Sequence, residues 1–127
     1  MKRILTIIVT YNGMKWIDRC LGSLSVSREP SDVFIVDNGS DDGTPEYVSE
    51  HFPEAMVYVS NVNLGFGKAN NIGLEYALKH GYEYVYLLNQ DAWVMPYTFG
   101  ILIDAMEKDR ALGILSPMQM ADGMERP

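Results

Sequence analysis

The stretch YVYLLNQDAWV, residues 84–94, breaks an apolar run with Asn89, Gln90 and Asp91 before apolar character resumes at Ala92. A carboxylate in such a setting is costly unless something positive meets it. One role for Asp91 is a turn or capping acid. The other is an anchor for Mg²⁺ or Mn²⁺, because such ions take one or two carboxylates and complete their shell with phosphate oxygens and water. A bare carboxylate beside a diphosphate is repulsive: two like charges at about 4 Å cost on the order of 4 kcal/mol at an effective dielectric of ~20. A divalent cation between them reverses the sign. Lys68 is the single basic residue in the four polar clusters of this chain, so a metal would carry most of the neutralisation.

The other three clusters also pair polar side chains with glycine. Thr10, Tyr11, Asn12 and Gly13 end the first apolar run, and Asp37 and Asn38 end the second. Residues 39–44, GSDDGT, read as a turn and helix cap, since Gly, Ser and Asp are turn residues. That role explains Asp37 and Asn38 less well, and a carboxylate or amide there can take a nucleobase N–H. The third cluster, NVNLGFGKANNIG, holds Asn63, Gly65, Phe66, Asn70 and Asn71 and opens a helix. Exposed N–H groups at a helix start favour an anion; the alternative is a connector whose glycines allow close packing. Gly65-Phe66-Gly67 is not a dinucleotide fingerprint. That motif follows the first strand, where this chain has Tyr11-Asn12-Gly13, and its third glycine is replaced by Asn70.

The elements that must position these clusters alternate in type. Residues 3–9 are β-branched and apolar on both faces, as in a central parallel strand. Further strands are expected at 33–36, 56–59, 83–88 and 113–116. Met14, Ile17, Leu21 and Leu24 recur at helical spacing. Thr44, Pro45 and Glu46 read as an N-cap, a first-turn proline and a first-turn acid of a helix ending near His51. Two more helices are expected at about 67–80 and 96–109. The β-α-β-α-β-α-β-α-β order predicts an α/β fold, a mostly parallel sheet with helices on both faces. Ligands then sit beyond the carboxyl ends of the strands, and all four polar clusters fall there.

The totals narrow the function. The chain has 127 residues, 47% of them hydrophobic, with 17 acids against 10 bases and a net charge of −7. That balance argues against nucleic-acid or anionic-membrane surfaces, which need clustered Lys and Arg. One cysteine, Cys20, leaves no internal disulfide and fits a reducing, cytoplasmic setting. No apolar run reaches transmembrane length. Cys20 and Trp93 read as packing residues, and His51 and His80 as helix-end residues rather than ligands.

Together VTYNG (9–13), VDNGSDDGT (36–44), NLGFGKANNIG (63–73) and LLNQDAWV (87–94) resemble the inverting family 2 glycosyltransferases of GT-A fold, in the branch with rhamnosyltransferase-like enzymes of cell-surface polysaccharide synthesis. The resemblance implies a nucleotide-diphospho-sugar donor, dTDP- or UDP-linked by preference, and a divalent cation. Thr10, Tyr11 and Asn12 match the loop against the base. Asp37 and Asn38 match the acidic pair that reads base and ribose, with Asn38 where many relatives carry Asp. Asn63, Gly65, Phe66, Asn70 and Asn71 match the loop near ribose and diphosphate. Asn89-Gln90-Asp91 matches the DxD position, with its first Asp replaced by Asn89: the resemblance implies Asn89 and Gln90 as nucleotide-sugar contacts and the last residue, Asp91, as metal ligand.

The resemblance also implies a saccharide or lipid-linked acceptor and a general base well downstream of Asp91. Asp104, Glu107, Asp109, Asp122 and Glu125 are the remaining acids after it, and none is assigned that role. Asp104, Glu107 and Asp109 read as a solvated helix face. The expectation is a single nucleotide-sugar-binding domain over 1–127, the N-terminal part of a longer enzyme. Its acceptor half and base would lie beyond Pro127, and its exposed apolar surface would suit a homodimer. The full protein would sit in the cytoplasm at the inner face of a bacterial membrane. The competing class is a non-catalytic binding or assembly module of the same fold. A nucleotidyltransferase fits less well, because TYNGMK lacks a basic Gly-rich loop after the first strand.

Overall fold

The computed structural model describes residues 3–108 and the backbone of residues 114–115. Its elements are β1 (Ile4–Thr10), α1 (Ile17–Ser25), β2 (Asp32–Asp37), α2 (Thr44–His51), β3 (Met56–Val59), α3 (Phe66–Lys79), β4 (Tyr84–Asn89), α4 (Thr98–Lys108) and β5 (Ile114–Leu115). The strands form one sheet in the order β3-β2-β1-β4-β5, and every pairing is parallel. The α/β expectation holds, with each strand and helix close to its expected place.

The apolar character of β1 on both faces has its reason in the packing. Ile4 and Ile8 face one layer, with Ile17, Cys20, Leu21 and Leu24 of α1, Val48 of α2, and Phe99 and Met106 of α4. Leu5 and Ile7 face the other, with Ala69 and Ala77 of α3. Helices therefore cover both faces, three on one side and α3 on the other. Phe99 meets Tyr86 edge-on with centroids 4.9 Å apart, a favoured aromatic geometry.

Parallel pairing aligns the strand ends. Thr10 lies opposite Asp37, Asp37 opposite Val59, and Val9 opposite Asn89. All four polar clusters therefore follow strand ends on one edge of the sheet. The order reverses between β1 and β4, which makes that gap the topological switch point where α/β sheets open a crevice.

Three local expectations are corrected. Thr44 is not the N-cap of α2: Gly43 holds that place in a left-handed conformation (φ 88°), and Thr44 is the first helical residue. Asp42 does the capping, accepting from Thr44 N at 3.0 Å, because the Thr44 hydroxyl oxygen is engaged by Gly13 N. Helix α1 begins at Ile17, so Met14 falls in the preceding turn and is exposed. Glu107 is not a solvated acid: it is half-buried and accepts a hydrogen bond from Tyr84 Oη. Asp104 is exposed on α4, while Asp109, Asp122 and Glu125 lie outside the described residues.

Helix α3 approaches the sheet closely at Gly73, where an added Cβ would sit 2.7 Å from Ile7 Cγ2 and 2.8 Å from Ile7 Cδ1. Ile7 is wholly buried at the centre of the sheet and has no room to retreat. Gly73→Ala is expected to destabilise the fold by about 1–3 kcal/mol through overpacking, despite alanine's better helix propensity. Urea denaturation checks this; an equal or raised midpoint would contradict it.

Candidate functional site

The edge is built from the second loop outward. Asp37 ends β2 and is fully buried. Its Oδ1 accepts from Thr10 Oγ1 at 2.6 Å and Ser40 Oγ at 2.7 Å, and its Oδ2 from Ser40 N at 2.9 Å. Charge-assisted bonds of this kind are what make a buried carboxylate tolerable. The carboxylate thus ties the ends of β1 and β2 together.

The first loop is then stitched to the second along its length. Asn12 N donates to Ser40 Oγ, Asp41 N to Asn12 Oδ1, and Gly13 N to Thr44 Oγ1, at 2.8, 2.9 and 3.0 Å. Asn12 has a positive φ of 48°, which Asn tolerates better than most residues. Met14 N donates to Asp42 Oδ2 at 3.2 Å. Burial nudges the Asp42 carboxyl upward, but hydrogen bonds from Thr44 and Met14 outweigh it and hold the group below its ordinary value.

Asn38, also buried, links the second loop to the third. Its Oδ1 accepts from Leu64 N at 3.0 Å and its Nδ2 reaches Gly65 O at 3.5 Å. Asn63 Oδ1 accepts from Gly65 N at 2.8 Å. Gly65 then starts α3 with φ 85° and ψ 162° and no side-chain cap. The first helical residues, Phe66 to Lys68, are exposed. Asn70 is buried and Asn71 exposed, so this pair does not present a common face.

The fourth loop closes the edge. Gln90 pairs through its amide with the backbone of Tyr11 across the switch point, Tyr11 N donating to Oε1 at 2.9 Å and Nε2 donating to Tyr11 O at 3.1 Å. Asn89 is half-buried and engaged within the protein. Asp91 is exposed, and among the described residues its carboxylate takes no hydrogen bond. Cys20 lies beneath, its Sγ 3.6 Å from Asn89 O. Burial, then the charge of Asp91, pushes its thiol up to about 12, which keeps it protonated at neutral pH. Trp93 is buried, with the Arg19 guanidinium 3.4 Å above its ring, so it is a packing residue.

The structure brings the ends of all four clusters to one edge, yet the side chains divide in two. Thr10, Asn12, Asp37, Asn38, Asn63 and Gln90 make hydrogen bonds within and between the loops, and Asn70 is buried. Tyr11, Phe66, Asn71 and Asp91 face outward. Ser40, Asp42 and Thr44 are stitching residues that the sequence reading passed over as turn and cap. Their serine, acid and threonine spacing was the available signal, but its partners are 28–31 residues away in the first loop.

No group of three His, Cys, Asp or Glu among the described residues could enclose a metal. The donor set is instead one exposed carboxylate, which fits a hard cation that completes its shell from phosphate and water.

The parallel α/β sheet in the order 3-2-1-4-5, with polar loops at its switch point, is of the GT-A class, the fold of its structural neighbours. The Glycosyl transferase family 2 profile matches residues 6–126, and the chain belongs to that family. It is 32% identical over 128 residues to the N-acetylglucosaminyl-diphospho-decaprenol L-rhamnosyltransferase of Mycobacterium tuberculosis, covering 93% of this chain and 42% of that protein. The crystal structure of S. aureus TarS 1–349 in complex with UDP superposes with a TM-score of 0.78 at 25% identity, over 100% of this chain and 38% of that one. The mannosyltransferase PcManGT from Pyrobaculum calidifontis, in complex with GDP-Man and Mn²⁺, gives a TM-score of 0.65 at 25% identity, over 81% and 32%. The chain thus spans less than half the length of each.

Ser40→Ala removes one donor to Asp37 and the acceptor of Asn12 N. It is expected to cost about 2 kcal/mol, as for hydrogen bonds to charged groups, read as a lowered melting temperature. Because the Asp42 carboxyl is lowered on folding, its stabilising effect is present above its unfolded value and is lost as pH falls through the folded one. The stability gap between wild type and Asp42→Ala is therefore expected to be full at pH 7 and to shrink below about pH 4. Denaturation at both pH values tests the sign.

Proposed function

We propose that this chain is the donor-binding part of a metal-dependent, inverting glycosyltransferase of the rhamnosyltransferase-like branch. In this reading it transfers a sugar from a nucleotide-diphospho-sugar to a saccharide or lipid-linked acceptor in cell-surface polysaccharide synthesis. The observation that carries the reading is the exposed carboxylate of Asp91 at the switch point, beside loops that Asp37 and Asn38 tie together. The Mn²⁺ complex of PcManGT and the UDP complex of TarS support it by analogy.

Each part of the edge has a role. Tyr11, 48% exposed at the end of β1, offers a ring face to a base. Asp37 and Asn38 hold the first and third loops in place, and through them set the cleft that a base and ribose enter. Gly65 N–H is taken by Asn63, and the first-turn N–H groups of α3, from Phe66 to Lys68, are those a diphosphate would meet. Asp91 would hold the cation, which when bound offsets the charge that develops on the departing nucleoside diphosphate. Asn38 is committed to Leu64 and Gly65, so its amide holds the loop rather than reading a base; UDP- or dTDP-sugars are the donors proposed.

An inverting transfer needs a general base near the acceptor hydroxyl. Glu107 is held by Tyr84 at the start of β4, the edge opposite Asp91, and does not serve. In this reading the base is assigned to none of the described residues. No helix among the described residues is long and apolar enough to cross a membrane. With a relative named for a diphospho-decaprenol substrate, this favours a protein peripheral to the inner face of the membrane. Exposed Tyr58, Val59 and Val62 beside the open edge of β3 are the surface on which a homodimer would form.

Calorimetry with UDP, dTDP and GDP, with and without Mn²⁺, tests the proposal. Mn²⁺ is expected to tighten binding of at least one nucleotide by about tenfold, a typical coupling, and Asp91→Ala is expected to abolish that gain. Equal heats with and without metal for all three would refute it. In the full-length protein Asp91→Ala is expected to abolish transfer, whereas an assembly module would keep its partners.

A further inference from the structure

The parallel ladder between β1 and β4 ends at Val9 and Asn89. One residue further, where a switch point splays open, the Gln90 side chain takes over. Its amide makes both hydrogen bonds a neighbouring strand would make to Tyr11, N–H to Oε1 at 2.9 Å and Nε2 to carbonyl at 3.1 Å. Room for it comes from Gly13, where an added Cβ would lie 2.4 Å from Gln90 Oε1 and 3.1 Å from Cδ. Gln90 stands next to Asp91 in the chain, and Tyr11 is the exposed ring of the first loop. One side chain therefore sets the separation between the aromatic face and the carboxylate across the crevice.

We infer that Gln90 is a positioning residue, a clasp that couples the Tyr11 loop to the Asp91 loop so that a nucleoside diphosphate seated on the first meets a cation held by the second. Gly13 is its counterpart, the residue whose missing side chain admits the clasp. This replaces the direct ligand contact expected for Gln90 from its place in the motif, and it rests on the nucleotide- and metal-binding reading above. The two roles differ in a measurable way. A contact residue lowers affinity with or without metal and is indifferent to Gly13. A clasp governs the gain that metal brings, and it fails equally when Gly13 is filled.

The readout is the ratio of UDP dissociation constants without and with Mn²⁺, measured by calorimetry on the chain. Gln90→Ala is expected to reduce that ratio by roughly fivefold or more, within the usual range of coupling between sites. Gly13→Ala is expected to do the same, and to add nothing in the Gln90→Ala background, where the obstructed amide is gone. Gln90→Met keeps the volume without the hydrogen bonds and replaces Gln90→Ala if that variant does not fold. An unchanged ratio in Gln90→Ala and Gln90→Met overturns the clasp. So does a harmless Gly13→Ala, or additive losses in the double variant. A wild type that binds UDP with no metal gain fails at the underlying reading and takes the clasp with it.

Discussion

A buried carboxylate with neutral partners holds the ligand edge together. Asp37 is wholly inaccessible, and its donors are two hydroxyls and one backbone N–H. Removing a carboxylate from water costs several kcal/mol even after relaxation, so those donors must be in place for the fold to form as it does. Each belongs to another part of the edge. Thr10 ends β1, and Ser40 also receives Asn12 N from the first loop. The cost of burying one charge is thereby turned into a fixed relation between two loops. Asn38 extends the layer to the third loop and Gln90 to the fourth.

That economy explains which acids remain for a ligand. Asp37 and Asp42 are committed to internal donors. Asp41 and Asp91 are exposed, and of the two Asp91 lies at the place where the strand order reverses. A layer already satisfied by its own hydrogen bonds needs little rearrangement when a polyanion and a cation arrive, and preorganisation of this kind reduces the entropy lost on binding.

The architecture was legible because β1 is apolar on both faces and the helices are apolar on one. A sheet covered on both sides demands the first pattern, and Leu5, Ile7, Ile4 and Ile8 show it. The position of the clusters followed from topology alone. What each cluster residue does was less legible. Motif resemblance placed Asp37, Asn38 and Gln90 against a ligand, while their oxygens and amides meet backbone and side chains up to 79 residues away. Nothing local in a sequence marks such partners. The N-cap of α2 was missed for the same reason, since Thr44 looks like a cap until Gly13 is found to occupy its hydroxyl. Asp91 stood out because it follows a buried strand; it lies exposed in the turn there, so its interest rests on its place at the switch point.

The central claim is that the exposed carboxylate at the switch point, Asp91, is the one that meets a metal. Crystals grown with UDP and Mn²⁺, with data collected at the manganese absorption edge, test it directly. The account requires an anomalous peak about 2.0–2.3 Å from an oxygen of Asp91, shared with the diphosphate. A peak on other residues, or a well-ordered diphosphate with Asp91 turned away and no ion beside it, would contradict the account.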